Sequence, residues 1–502
     1  MIPRLLLVLL TSAVAVTAQV HYHDHGQPWK QRARRGPDAE VPGWYYNLGI
    51  SGIRIELIKD DPKAMLVRHV FARTPASKLI EPGDIITGVR RRRFKEEHQN
   101  GYGMRVFGAQ GPVSEFAAAL EHAMTKTGKG KLVLLIDRDG DEREVTLKIK
   151  DKRSYAQTYP ARCKKSAEIL AECLGYLLEH QQANGSFGNP AYGPFAALAL
   201  LSTGKPKHVK AVKRAARQYA RQTTANDRGG GLINWRYMAA AIVLSEYYLA
   251  TREKWVLPEL EEIYQFLKWS QYTSMRQINP RARKSHPDAV PKTERRAHGG
   301  WGHNPGFEGY GPISMITGQG ALAFALMKTC GIEIDRRLHD HAYEFLARGT
   351  GKNGYLWYAD EAAGMHNWAD MGRTGASGIA NWLSPWKGKH YRERALAHAR
   401  CIGEHPESFP DTHGSPILGM GYAALAASVD KKSFRKLMDA NRWWFVLSRC
   451  PDGTFYYQPN RDNAGYGADS RLSATAVTAF IYSIPNRGLH ITGKPLRENK
   501  RR

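Results

Sequence analysis

Side chains able to move protons, carry charge or stack on a ring cluster in a few short stretches of the 502-residue chain. They are Asn234 with Arg236; His298, His303, Glu308 and Tyr310; His366, Asp370 and Arg373; Asp411 and His413; and Asp462, Tyr466, Asp469 and Arg471. Trp235, Trp301, Trp357 and Trp368 stand among them. Two chemistries suit such a set. Eliminative cleavage of a uronate-bearing polymer needs a cation beside the sugar carboxylate, for which Arg373 is the candidate. It also needs proton carriers, with Tyr310 and His298, His303, His366 or His413 as candidates, and indole faces to stack the rings. Hydrolysis needs two carboxyl groups at a set separation, and Glu308 with Asp370 or Asp411 are the candidates. As a metal cluster, His298, His303, Asp411 and His413 match no ligand spacing, so no metal site is assigned and the cofactor stays unspecified.

The elements that carry these residues repeat. About every 50 residues an amphipathic stretch gives way to a loop of Gly and aromatics, then to a helix of small apolar residues. The clearest copies are Asn184-Gly185-Ser186-Phe187-Gly188 running to Tyr192-Gly193-Pro194-Phe195, and Gly299-Gly300-Trp301-Gly302 running to Tyr310-Gly311-Pro312-Ile313. Looser copies centre on Trp235, Trp357, Phe409 and Phe455. In the outer stretches Val209, Val212, Ala216 and Tyr219 keep one face apolar, whereas runs such as 196–200, 318–326 and 375–380 are small and apolar nearly all round and must be buried. Six outer and six inner helices closed into a ring satisfy both patterns, while an open solenoid leaves the inner face wet. The loops then meet at one mouth together with the inner-helix N-termini, whose partial charge favours an anion.

This arrangement resembles the α/α toroid shared by terpenoid cyclases, protein prenyltransferase β subunits and several polysaccharide lyases and glycosidases, over residues 163–485. The likeness implies an (α/α)6 fold and leaves the chemistry open. The Asp-rich motif of the cyclases and the Asp, Cys and His zinc set of the prenyltransferases have no counterpart in this chain.

Upstream, residues 1–18 carry one Arg, the apolar run Leu5-Leu6-Leu7-Val8-Leu9-Leu10 and then small residues, the pattern of a signal peptide cut after Ala18. The expected location is therefore secreted or periplasmic. Residues 19–43 form a polar linker, and 44–150 alternate as short strands, with Asp139-Gly140 as a hairpin turn. Here Thr74-Pro75-Ala76 followed by Ile80-Glu81-Pro82-Gly83-Asp84-Ile85-Ile86 resembles a bacterial-type PDZ domain, and the resemblance covers about 100 residues. That likeness implies that Leu48, Gly49 and Ile50 offer backbone amides to a peptide C-terminal carboxylate while the peptide adds as a strand. A basic insert at 90–111 departs from the family pattern. Residues 151–162 are a second linker and 486–502 a basic tail. The expected fold is thus multidomain, a small β-rich PDZ-like domain plus an all-α toroid.

A net charge of +26 implies attraction to an anionic partner such as an acidic polysaccharide. No nucleic-acid motif accompanies the charge, and no stable membrane insertion is expected, since the N-terminal apolar run falls short of the roughly 20 residues a span needs and no later segment reads as transmembrane. Hydrolase motifs such as G-x-S-x-G and H-E-x-x-H are missing, and Gly375-Ala376-Ser377-Gly378 reads as close helix packing. The five cysteines lack any C-x-x-C pair and are expected as buried thiols, with at most one bridge among Cys330, Cys401 and Cys450. The sequence alone favours an exported binding or scaffold protein with an anion-favouring mouth; the alternative is a carbohydrate-active enzyme, lyase or hydrolase, acting on an acidic polysaccharide.

Overall fold

The computed structural model describes residues 23–24, 27–28, 45–58, 60–98, 109–150, 153–189, 194–280, 284, 287, 290–305, 311–358, 370–410, 416–458 and 470–496. The expected signal peptide and most of the first linker lie outside them.

The N-terminal part is a seven-stranded sheet. Its strands are β1 Tyr45–Asn47, β2 Ile53–Leu57, β3 Met65–Val70, β4 Ile85–Val89, β5 Arg92–Arg93, β6 Lys131–Arg138 and β7 Asp141–Lys148. All pairs are antiparallel in the order β1-β2-β3-β4-β6-β7, and β5 pairs with β4. The β6–β7 turn needs left-handed backbone at both central residues, and Asp139 and Gly140 supply it with φ of 56° and 88°. Helix α1, Pro112–Ala123, packs Phe116 and Leu120 onto one face of the sheet.

The remainder is helical. The inner helices are α3 Pro194–Leu201, α5 Ile233–Thr251, α7 Ser314–Cys330, α9 Met371–Trp382, α11 Pro416–Ala427 and α14 Ser470–Ser483. Each packs on the next, and α14 packs on α3, so the ring closes. Outside it stand α2 Lys164–Glu179, α4 Pro206–Arg221, α6 Val256–Ser270, α8 Arg336–Arg348, α10 Lys389–Glu404 and α12 Lys431–Ala440, with a short extra helix α13 Arg442–Leu447. The apolar residues decide this layering. Every residue of α3 is buried, whereas α4 buries Ala211, Val212, Ala215, Ala216 and Tyr219 and turns its Lys and Arg outward.

The repeated loop has a definite local cause. In Asn184-Gly185-Ser186, Asn353-Gly354-Tyr355 and Asp452-Gly453-Thr454 the Asx side chain accepts the amide two residues on, at 2.9, 3.0 and 3.1 Å. The Gly between is left-handed in all three. At Gly185 and Gly354 a Cβ would also lie 2.5 Å from a carbonyl oxygen, Arg214 on α4 and Ala397 on α10 respectively. Only Gly serves both demands, and so each loop can sit on the next outer helix.

The axis of the ring is filled rather than open. Phe195 of α3 meets Tyr422 of α11 and Phe480 of α14, with ring centroids 5.4 and 4.9 Å apart. The Tyr422 hydroxyl reaches Gln319 of α7 at 3.3 Å. These side chains form the floor beneath the mouth. All five cysteines are buried free thiols, Cys163 capping α2 rather than lying within it.

Buried titratable groups make stability depend on pH in opposing ways. Glu246 near the far end of α5 accepts the amides of His490 and Ile491 at 3.0 and 2.7 Å, yet burial pushes its carboxyl up to about 7. Its folded pKa exceeds the unfolded value, so its contribution is complete below about pH 4.5 and lost as pH rises to 7, about 3 kcal/mol in all. Fully buried His398 and His339 are pushed down to about 4 by burial, so their contribution is lost as pH falls from 6.5 to 4. In the native protein the slopes oppose one another. Glu246→Gln removes the first, so its unfolding free energy should climb more steeply between pH 4.5 and 6.5 than that of the native protein; identical profiles by urea denaturation contradict this assignment.

Candidate functional site

The chain enters each inner helix at the same face of the ring, where the Gly-aromatic loops gather. The structure corrects the expectation of free helix amides there. The Ile233 amide donates to Asn304 Oδ1 at 3.1 Å and the Asn234 amide to the His303 carbonyl at 3.2 Å; the Ser314 amide donates to the Tyr358 carbonyl at 2.9 Å. At α5 and α7 the next unit's loop thus satisfies the helix start, as buried N–H groups require. At these two helices the satisfied amides are not left for an anion.

The first turns of the inner helices alternate. The first, third and fifth open at Pro194, Pro312-Ile313 and Pro416. The second, fourth and sixth carry Arg236, Arg373 and Arg471, each beside an Asp: Arg236 with Asp227 at 2.7 Å, Arg373 with Asp370 at 3.4 Å, and Arg471 with Asp452. These partners compensate the three cations, whereas the Lys and Arg of α4 face outward.

The three pairs are not equivalent. Asp227 also accepts from the Tyr237 hydroxyl at 3.1 Å and the Gly229 amide at 2.8 Å, and Asp452 also accepts the Thr454 amide and hydroxyl, so both are tied up in holding loops. Asp370 instead meets Arg373 through one long contact, and it precedes α9 in a left-handed conformation, φ 57°, that costs a non-Gly residue energy. Leu232 occupies the same position before α5 with φ 68° and stands 41% exposed. Arg373 is fixed independently. Its Nε donates to the Leu356 carbonyl at 3.0 Å and its Nη2 to the Tyr355 hydroxyl at 2.8 Å. Burial works against its charge, but Asp370 and Tyr355 outweigh burial and hold the guanidinium above its ordinary pKa. Half-buried Trp357 stands edge-on to Tyr355 at 5.1 Å.

Across α7, His303 and Trp235 form a second group. The indole Nε1–H donates to His303 Nδ1 at 2.9 Å and the rings stack at 6.0 Å. Because indole only donates, Nδ1 is unprotonated and the neutral ring carries its proton on Nε2. Asn234 anchors this group through Nδ2 to the Gly302 carbonyl at 2.9 Å.

Other expected members fall elsewhere. His298 is held at the outer wall, Nδ1 near the Glu294 carbonyl at 3.1 Å, Nε2 3.5 Å from Glu344 of α8 and its ring 4.7 Å from His341. Its place in the reactive set is therefore corrected. Trp301 is fully buried and donates to the Leu267 carbonyl at 3.0 Å, so it fills core and offers no stacking face. Ser377 Oγ lies 2.9 Å from His398 Nε2, but both are fully buried and His398 Nδ1 donates to the Gly354 carbonyl at 2.6 Å, so the pair ties α9 to α10. Tyr310, His366, Asp411 and His413 lie outside the described residues, as do Glu308, Trp368, Asp462, Tyr466 and Asp469. The sequence reasoning missed Tyr355, Asp227 and Asp452 with Thr454. Only the aromatic markers Trp357 and Phe455 pointed to two of these loops.

The peptide site is also corrected. Leu48 and Gly49 are buried, and a Cβ at Gly49 would stand 2.6 Å from the Val446 carbonyl oxygen of α13. Strand β2, beside which a peptide would add, is already paired with β1 on one edge and β3 on the other. Peptide capture at Leu48-Gly49-Ile50 has no open edge or approach.

Among the described residues no three His, Cys, Asp or Glu side chains gather as a metal-binding group, and no helix is long and apolar enough to cross a membrane. The structure is similar to an inactive variant of the α-1,6-mannanase GH76A of Salegentibacter sp. HEL1_6, solved with α-1,6-mannotriose, at TM-score 0.45 and 11% identity over 63% of this chain and 98% of that one. It is similar to a polysaccharide lyase at TM-score 0.41 and 11% identity, over 65% of this chain and 98% of that one. Both neighbours are carbohydrate-active enzymes, and with them the expectation of a binding scaffold is corrected. No curated protein matches the chain. A family model, that of a domain of unknown function called DUF6288, matches residues 166–493, and the chain belongs to that family.

Proposed function

We propose that this protein is an exported glycoside hydrolase that cleaves a polysaccharide at the toroid mouth, with Asp370 as a reacting carboxyl group. The observation that carries this reading is the difference between Asp370 and its counterparts. Among the described residues it is the mouth carboxylate with a single long ion pair, held in a strained backbone beside an arginine that Tyr355 and Leu356 fix independently.

Glycosidic hydrolysis uses one carboxyl group to protonate the leaving oxygen or to attack the sugar, and a second to activate water or complete the exchange. Asp370, 3.4 Å from Arg373, is the candidate for the nucleophile or base role. Glu308 and Asp411 are the candidates for the proton donor. Trp235, Trp357 and Leu232 supply partly exposed apolar surface for sugar rings, and His303 Nε2–H a donor for hydroxyl groups. Elimination is less well served, because Arg373 already compensates Asp370 and is not left to neutralise a uronate.

The test is incubation of the mature protein with a panel of neutral and acidic polysaccharides, followed by reducing ends and by ultraviolet absorbance of unsaturated uronates. New reducing ends without that absorbance are expected. Reducing ends accompanied by the absorbance would assign a lyase instead, and no cleavage across the panel would remove the enzymatic reading.

A further inference from the structure

We infer that the small β domain is a fixed jaw of the mouth, with Asn47 and Arg54 as positioning residues for the loop that carries Asp452. The role replaces peptide capture at this end of the sheet, and its catalytic consequence rests on the function proposed above.

The contacts are specific and buried. Gln458, just beyond that loop, donates its side-chain amide to the Asn47 carbonyl at 3.0 Å and accepts the Asn47 amide at 3.1 Å. A side chain thereby pairs with the outer edge of β1 as a neighbouring strand would. The Asn47 Nδ2 donates to the Leu447 carbonyl at 2.7 Å, which holds the end of α13. Arg54 on β2, 1% exposed, lays its guanidinium over the Tyr456 ring at 5.0 Å. From α1, Glu121 pairs with Arg442 of α13 at 3.3 Å.

The contacts to Gln458 and Tyr456 fall on residues 449–458, and those to Leu447 and Arg442 hold α13 just before that segment. The segment folds back on itself, the Tyr456 amide donating to the Ser448 carbonyl at 2.9 Å and the Cys450 amide to the Thr454 carbonyl at 2.7 Å. It presents Asp452 and Thr454 to Arg471 in the first turn of α14. The equivalent loop in the fourth unit, around Asn353 and Tyr355, is held instead by the next outer helix, α10, through His398. In the sixth unit the sheet adds Asn47 and Arg54 to the anchoring that Arg449 takes from Glu172 of α2 at 2.9 Å, so one wall of the mouth is positioned in part by the other domain.

The experiment uses the full chain. Gln458→Ala removes both bonds to β1 and Asn47→Ala removes the bond to Leu447. Hydrogen exchange followed by mass spectrometry is read on 449–458, with 350–356 as internal control and no substrate present. Exchange at 449–458 is expected to quicken at least tenfold in each variant while 350–356 is unchanged. On whichever polysaccharide the native protein cleaves, KM should rise several-fold with kcat nearly kept, and the double variant should add little to either single one. Unchanged exchange at 449–458 in both variants overturns the inference, as does equal acceleration in both segments. Absence of cleavage by the native protein would instead count against the proposed hydrolase, because the exchange result is read without it.

Discussion

Asp370→Asn should lower polysaccharide cleavage by about 1,000-fold, within the range that a positioned acid or base contributes. The change keeps size and removes the charge. Arg373 retains its bonds to Leu356 and Tyr355 at 3.0 and 2.8 Å, so the mouth should hold its shape. Thermal unfolding should move little, because the substitution breaks a single ion pair, 3.4 Å long. The same substitution at Asp452 should act differently. That carboxylate is packed against Arg471 and Thr454 and held in its ionised form by them, against the pull of burial. Asp452→Asn should therefore cost stability first and activity through it. Cleavage by Asp370→Asn within about tenfold of native would leave Asp370 with no chemical role.

The largest expected effect on folding is at Gly375. A Cβ there would lie 2.4 Å from both the carbonyl carbon and the oxygen of Tyr422, so α9 and α11 approach through backbone alone. No flexible side chain can give way. Gly375→Ala gains about 1 kcal/mol of helix propensity but must spread two helices that each bury nearly every residue, and a net loss of about 3 kcal/mol is expected. For a chain of this size that lowers the melting temperature by roughly 4 °C. Gly175, inside α2, has nothing within 4 Å of its Cβ position, and Gly175→Ala should raise stability by about 1 kcal/mol. Differential scanning calorimetry on the two variants checks both signs, and a Gly375→Ala protein as stable as native contradicts the packing described.

The ring was legible from the chain because two periodicities agree. Small apolar residues without a polar face, as in 196–200, have no stable place except the interior, and the Asx-Gly pairs mark where the backbone must reverse. The alternation of Pro and Arg among the inner helices was present in the sequence too, though Arg373 shows its meaning only beside Tyr355 and Asp370. The errors have a common cause. Helix amides at the mouth looked free because their acceptors, Asn304, His303 and Tyr358, come from the following unit, tens of residues away. His298 lies three residues from Trp301, but Glu344 and His341 of an outer helix draw it to the wall. Leu48-Gly49-Ile50 carries the right local pattern for a carboxylate, yet what covers it is α13, about 400 residues later. Such contacts depend on ring closure and domain docking, and no local pattern encodes them.

The most direct test of the central claim is the structure of the Asp370→Asn protein soaked with an oligosaccharide of the polymer that the native protein cleaves. A glycosidic oxygen or anomeric carbon within about 3.5 Å of the residue 370 side chain is predicted, with a sugar ring against Trp235 or Trp357. A chain seated away from the mouth, or bound with residue 370 out of reach of every glycosidic bond, would contradict it.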